Sequence, residues 1–147
     1  QHRSRNEREH DGVLRRLFPG WLVKHEPETI LDIHEPSVRD GVSRDICDGM
    51  SRSYTCDFVL CKGTARLCVE SKPVADHLTP EALAKCRVLR DSTLARVVVM
   101  VGSGDSSIAW YDLGPPEQCG AGEAWYGDFE ELARALGVCR DLGSEGE

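Results

Sequence analysis

The stretch from Tyr54 to Lys72 constrains this chain most. Two apolar runs flank Gly63-Thr64, and glycine at the first position of a two-residue loop suits the tight turn of a β-hairpin. Counting outward from that turn sets Lys62 opposite Ala65, Cys61 opposite Arg66 and Asp57 opposite Glu70. Directly opposed side chains have their Cβ atoms ~5 Å apart, and like charges at that spacing are destabilising. A divalent cation between the two carboxylates relieves the repulsion, because hard cations take oxygen ligands. Lys72 lies two residues beyond Glu70 and so points to the same face. An acid, a second acid and a lysine therefore converge on one spot. The bland alternative is an edge hairpin with solvated charges.

The rest of the chain supplies a domain around that hairpin. Its 147 residues, 40% hydrophobic and 29% charged, are enough for one domain with a real core. The long polar loop falls at about residues 32–53, and the tail frays from about residue 140. A loop of that length in a compact domain is either mobile or functional. No apolar run approaches the ~20 residues of a membrane span, and the polar start shows no signal peptide. Seven cysteines cannot all pair internally. Three of them, Cys56, Cys61 and Cys68, lie on the hairpin, where cysteine acts as a small buried hydrophobe. A reducing, intracellular compartment is the expectation. Zinc is not, since no C-x-x-C pair exists. The 18 Lys and Arg against 25 Asp and Glu give a net charge of −7. That balance argues mildly against a nucleic-acid binder, because phosphate contacts need Lys and Arg. Arginines nonetheless cluster in the first helix and around Lys85, Arg87 and Arg90, while acids collect at the C-terminal end.

In chain order, Ser4 followed by Glu7 forms a capping box that starts a helix near Arg5. Val13, Leu14 and Leu17 mark its apolar stripe, and His10 falls in the middle of that stripe. Glu9 lies well off it. A histidine there is usually a core residue with one hydrogen bond. Pro19-Gly20 ends the helix. Trp21 to Glu26 reads as a strand. After the hairpin, Thr79 caps a helix with Pro80 at its first position. Ala95 to Val101 is a continuous apolar run, the pattern of a strand buried on both faces. The small residues Gly102 to Ser107 do not make a phosphate loop, because no helix follows. Ile108 to Leu113 reads as a further strand, and residues 114–126 as a Gly/Pro-rich loop. Asp128 caps a last helix, Phe129 to Leu136, ended by Gly137.

Asp57 followed by Glu70-Ser71-Lys72 resembles the PD-(D/E)xK nuclease superfamily, the restriction-endonuclease-like fold. The resemblance covers roughly residues 5–102. The position before the aspartate, usually proline in that superfamily, is Cys56 here. The element order agrees: an α/β fold with a restriction-endonuclease-like core, a central mixed sheet flanked by helices (α-β-β-β-α-β), plus a C-terminal strand and helix. The segment His25-Glu26-Pro27 is similar to one that precedes the active hairpin in phage and transposon-type members. The resemblance implies that Asp57 and Glu70 bind Mg²⁺ or Mn²⁺ and that Lys72 positions or activates the attacking water. It implies a third ligand on the first helix. In the phage junction-resolving endonucleases that helix has the form E-x-x-V-x-x-x-L, and aligning Val13 and Leu17 puts the acid position at His10. Cap-snatching viral members use a histidine ligand from such a helix, so His10 is the first choice and Glu9 the second. The main-chain carbonyl of Ser71 or Val69 is a further candidate ligand. The implied activity is metal-dependent hydrolysis of nucleic-acid phosphodiesters, DNA ahead of RNA, by an endonuclease acting alone, as a homodimer or within a larger complex. The alternative is a degenerate nuclease fold that binds nucleic acid or protein without catalysis.

Overall fold

The computed structural model describes residues 5–25, 31–33, 52–54, 56–93, 95–103, 107–115 and 122–137. The capping residue Ser4, Glu26, the bulk of the polar loop and the C-terminal tail lie outside the described residues.

The first helix, α1 (Arg5–Leu17), buries His10, Asp11, Val13 and Leu14. His10 and Val13, Leu14 recur at the spacing of one helical face. Phe18, just past the last turn, donates its N–H to the Leu14 carbonyl at 2.9 Å and is itself buried. Strand β1 (Leu22–His25) follows. Then come two short strands, β2 (Leu31–Ile33) and β3 (Arg52–Tyr54), which pair with each other in a separate two-stranded sheet. The hairpin is β4 (Phe58–Lys62) and β5 (Ala65–Lys72), with Gly63 at φ 61° in its turn. A single 3₁₀ turn (Ala75–His77) leads to α2 (Pro80–Thr93). Strands β6 (Arg96–Val101), β7 (Ala109–Asp112) and β8 (Ala124–Tyr126) and helix α3 (Phe129–Leu136) complete the chain.

The main sheet has six strands in the order β1-β4-β5-β6-β7-β8. All neighbours are antiparallel except β5 and β6, which run parallel. Parallel neighbours need a crossover, and α2 provides it. Both faces are covered. On one side α1 and α3 bring Val13, Leu14, Phe18, Phe129 and Leu132 against Phe58, Leu60, Val69, Val98 and Met100. On the other, Cys86 and Leu89 of α2 meet Cys68, Val97, Val99 and Val101. Alternate residues of β5 and β6 thus enter different cores. Val97, Val98, Val99 and Met100 are all fully buried, which is why that run carries no polar residue. Each such side chain contributes about 1.5–3 kcal/mol of burial.

The helix ends follow their sequence signals. Thr79 Oγ1 accepts the Ala82 N–H at 3.1 Å, and Asp128 Oδ1 accepts the Glu131 N–H at 2.9 Å. Three expectations need correction. Tyr54 does not belong to the hairpin but to β3, opposite Leu31. The loop at 32–53 carries regular structure at both its ends. Residues 124–126 form β8, since Trp125 meets Tyr111 edge-on at 5.0 Å between ring centroids. In each case a three-residue strand is too short to register as periodicity and depends on a distant partner.

Candidate metal-binding site

The hairpin register is the one counted from its turn. Lys62 pairs with Ala65, Cys61 with Arg66 and Phe58 with Val69. Asp57 directly precedes that last ladder pair, and Glu70 pairs on its other edge with Val99 of β6. The ladder stops at Phe58 because the next N–H, that of Ser71, donates to Asp57 Oδ2 at 2.8 Å. A side-chain carboxylate thus replaces a main-chain acceptor where β4 leaves β5. Asp57 is half-buried and Glu70 is 6% exposed.

Strand alternation divides the candidate residues between the two faces. Cys68, Glu70 and Lys72 share the α2 side, and Val69 and Ser71 the α1 side. The thiol of Cys86 on α2 senses this arrangement. Burial pushes it up, the negative charge of Glu70 adds to the rise, and Lys72 opposes it. Cys56, next to Asp57, is pushed up by its hydrogen bond with Cys68, by burial and by the charges of Glu70 and Asp57. Its sulfur also lies 3.2 Å from the Phe58 carbonyl oxygen. These thiols are buried packing groups beneath the acids.

On the other face, His10 is fully buried and both its ring nitrogens are engaged. Nε2 lies 2.9 Å from the Gly102 carbonyl oxygen, and Nδ1 lies 2.6 Å from Ser71 Oγ. A carbonyl only accepts, so Nε2 carries the hydrogen. In the neutral ring Nδ1 then accepts from the Ser71 hydroxyl. Burial pushes the His10 pKa down from 6.5, against the opposing pull of the Gly102 carbonyl and of Glu9, Asp57 and Glu7. Ser71 Oγ accepts in turn from Asn6 Nδ2 at 2.9 Å. That orientation leaves Asn6 Oδ1 buried without a partner among the described residues. Gly102 N–H donates to the Lys72 carbonyl at 3.0 Å. No other residue fits at 102: its φ is +140°, and a Cβ would lie 2.6 Å from the Ser107 carbonyl oxygen.

The structure therefore brings Asp57, Glu70 and Lys72 to one end of the hairpin and places Ser71 between the last two. His10, the first-choice third ligand, is placed by α1 on the central stripe as its spacing requires, but hydrogen bonds occupy both nitrogens that could take a cation. Glu9 sits off that stripe with its side chain 30% exposed, 3.4 Å from Arg5. Among the described residues no group of three or more His, Cys, Asp or Glu side chains is arranged to hold a metal ion. The candidate donors that remain are the carboxylates of Asp57 and Glu70. That suits Mg²⁺, which binds through one or two carboxylates and completes its shell with water and substrate phosphate oxygens.

Sequence reasoning missed the roles of Asn6, the Ser71 hydroxyl and Gly102. The i, i+4 spacing of Asn6 and His10 is a legible signal, since it puts both on one helical face. It also missed the Glu7–His25 pair at 2.8 Å, which ties α1 to β1 with the His25 ring tilted against Phe58. Compared with family models, curated proteins and solved structures, the chain finds no match in any of the three.

Proposed function

We propose that this protein is a divalent-metal-dependent nuclease built on a restriction-endonuclease-like core. The carrying observation is that Asp57 accepts the Ser71 N–H at 2.8 Å, which draws its carboxylate to the end of β5, where Glu70 and Lys72 flank Ser71. Antiparallel β1-β4-β5 followed by a helical crossover to parallel β6 supports the architecture. Asp57 and Glu70 would hold Mg²⁺ or Mn²⁺ through their carboxylate oxygens, with the Ser71 carbonyl as a further donor. A cation so bound supplies Lewis acidity toward the phosphate and lowers the pKa of a coordinated water. Lys72 orients that water or offsets the charge that builds on the phosphorus oxygens. Glu9 remains the candidate side chain for a third ligand, with His10 committed to its hydrogen bonds.

The test is cleavage of plasmid DNA and of labelled DNA and RNA oligonucleotides with and without Mg²⁺ or Mn²⁺. Metal-dependent cleavage that disappears in both Asp57→Asn and Glu70→Gln supports the reading, and cleavage at the wild-type rate in either variant sinks it. A second reading, a nuclease fold that binds without cutting, is favoured by one observation: no third side chain joins the two acids among the described residues. Binding of nucleic acid with no cleavage in either metal would select it.

A further inference from the structure

Ser71 is held from two directions. Its N–H donates to Asp57 Oδ2 at 2.8 Å, and its hydroxyl lies 2.6 Å from His10 Nδ1 and 2.9 Å from Asn6 Nδ2. His10 reaches on to the Gly102 carbonyl oxygen at 2.9 Å, and the Gly102 N–H returns to the Lys72 carbonyl at 3.0 Å. Lys72 is the residue after Ser71. The bonds therefore close a ring through α1, β5 and the end of β6.

We propose that Ser71 is the positioning residue of the Asp57 carboxylate, and that His10 and Asn6 act on the site through the Ser71 hydroxyl rather than by touching a cation. The inference rests on the reading of Asp57 and Glu70 as metal ligands. Asp57 lies just outside the last ladder pair, so no strand bond fixes its side chain. One N–H fixes one of its oxygens, and with it the aim of the carboxylate. That N–H can do so only if the last residues of β5 stay in place after β4 has left. The parallel ladder to β6, with Ser71 in register with Met100 and Lys72 with Val101, holds them along one edge, and the ring adds a tie on the α1 face. Ser71 is 8% exposed and His10 fully buried, so neither group has bulk water to turn to. A partly broken network of this kind is costly, because its remaining members stay desolvated. Alanine at 71 keeps the N–H but loses the tie. Leucine at 10 keeps the packing but loses both hydrogen bonds. Glutamine at 10 offers an acceptor oxygen and a donor amide nitrogen, the two kinds of group that the neutral imidazole presents.

Two measurements on the purified chain test this. The first is amide hydrogen exchange at residue 71 without metal. Protection there falls in Ser71→Ala and in His10→Leu, is restored in His10→Gln, and stays unchanged at Val97, Val98 and Val99 in all three. The second is calorimetric titration with Mn²⁺. Kd weakens by about 10-fold or more in Ser71→Ala and in His10→Leu, the range for residues that orient metal ligands. The double variant is no weaker than either single one, since both break the same path. Wild-type protection and affinity in Ser71→Ala overturn the proposal. So does weakened affinity in His10→Leu alone, which makes His10 a ligand. If the wild type binds no Mn²⁺ at all, the metal reading itself fails and the positioning role falls with it.

Discussion

Two buried polar clusters lie against the same sheet and are built on opposite logics. Around Glu123, every acceptor position meets a donor. Arg87 makes a two-point contact at 2.9 and 3.0 Å, Tyr111 Oη donates at 2.7 Å, and Arg90 Nη1 lies 3.3 Å away. Burial raises the Glu123 carboxyl, but the hydrogen bonds from Arg87 and Tyr111 outweigh it and hold the pKa below its usual value. Arg90, 2% exposed, also reaches the Leu113 carbonyl at 2.6 Å. This cluster fastens the approach to β8 onto α2, acid to cation. At the hairpin end, by contrast, Asp57 and Glu70 both lie near enough to the Cys56 and Cys86 thiols to raise them, and Asp57 accepts a main-chain N–H, that of Ser71. Neutralisation inside the fold marks a structural tie, whereas on the proposed reading the two carboxylates at the hairpin end take a cation from outside.

The sharpest way to break that contrast is to neutralise one of the two acids at the hairpin end. Asp57→Asn and Glu70→Gln should each lower metal-dependent cleavage by more than ~100-fold, since residues that merely orient ligands already cost ~10–100-fold. Without metal, the melting temperature of Asp57→Asn should change little, because relief of any repulsion from Glu70 is offset by a weaker acceptor for the Ser71 N–H. Millimolar Mn²⁺ should raise the wild-type melting temperature by binding the folded state and leave that of Asp57→Asn unmoved. Thermal scans and cleavage assays read both arms.

The Glu123 cluster should respond in the opposite sense. Glu123→Ala removes the shared partner of Arg87 and Arg90. Breaking a buried ion pair costs about 3 kcal/mol or more, but the Arg87 side chain is 43% exposed and Arg90 keeps Asp91 and Leu113. Denaturant unfolding should therefore show a loss of roughly 2 kcal/mol, below the full value for a buried pair. Cleavage per folded molecule should be unchanged. A large loss of activity at unchanged stability would erase the distinction between the clusters.

How far each cluster was legible in the sequence differs for a physical reason. Asp57, Glu70 and Lys72 sit on one hairpin, whose register follows from the turn at Gly63, so counting places them. The ends of α2 and α3 follow from Thr79-Pro80, Asp128 and Gly137, and the burial of β6 from its unbroken apolar run. The burial of His10 follows from helical period, but its partners do not: Ser71 is 61 residues away and Gly102 is 92. A lone stripe histidine has the same pattern whether it binds metal, water or a carbonyl. The Arg87–Glu123 contact, 36 residues apart, was hidden likewise, because it forms only once β8 docks beside β7.

A main-chain effect is expected at the glycine that closes the ring. Gly102→Ala forces a side chain into φ +140° and within 2.6 Å of the Ser107 carbonyl oxygen. A residue held in a sparsely populated backbone region costs on the order of 1–3 kcal/mol, and because the close contact is with main chain, the measured loss should lie toward the upper end of that range, ~3 kcal/mol. Because Gly102 carries the His10 acceptor, the variant should also lower amide protection at residue 71. Stability loss with full protection there would separate the glycine from the ring.

The smallest effect is a pH dependence that belongs to His10 alone. Its pKa is lowered from 6.5 in the fold, burial being the largest cause. Between the folded value and 6.5, the unfolded chain takes up a proton that the folded chain refuses. Unfolding therefore binds protons, and stability rises with pH across that window. Lowering the pH from 7 toward 5 should destabilise the protein through this residue, and no further below the folded pKa. The charges that face the ring from its own helix and from the hairpin, Glu9, Glu7 and Asp57, all favour the protonated form and shrink the effect. Removing the negative charge of Asp57 should therefore enlarge it. Carboxylates elsewhere add their own acid sensitivity, so the quantity to read is a difference: unfolding free energy against pH for wild type and for His10→Gln, which has no proton to gain. The two curves should converge as pH falls below 6.5, with the wild type losing the more. Parallel curves would mean that His10 titrates alike in both states and that the ring does not hold it neutral.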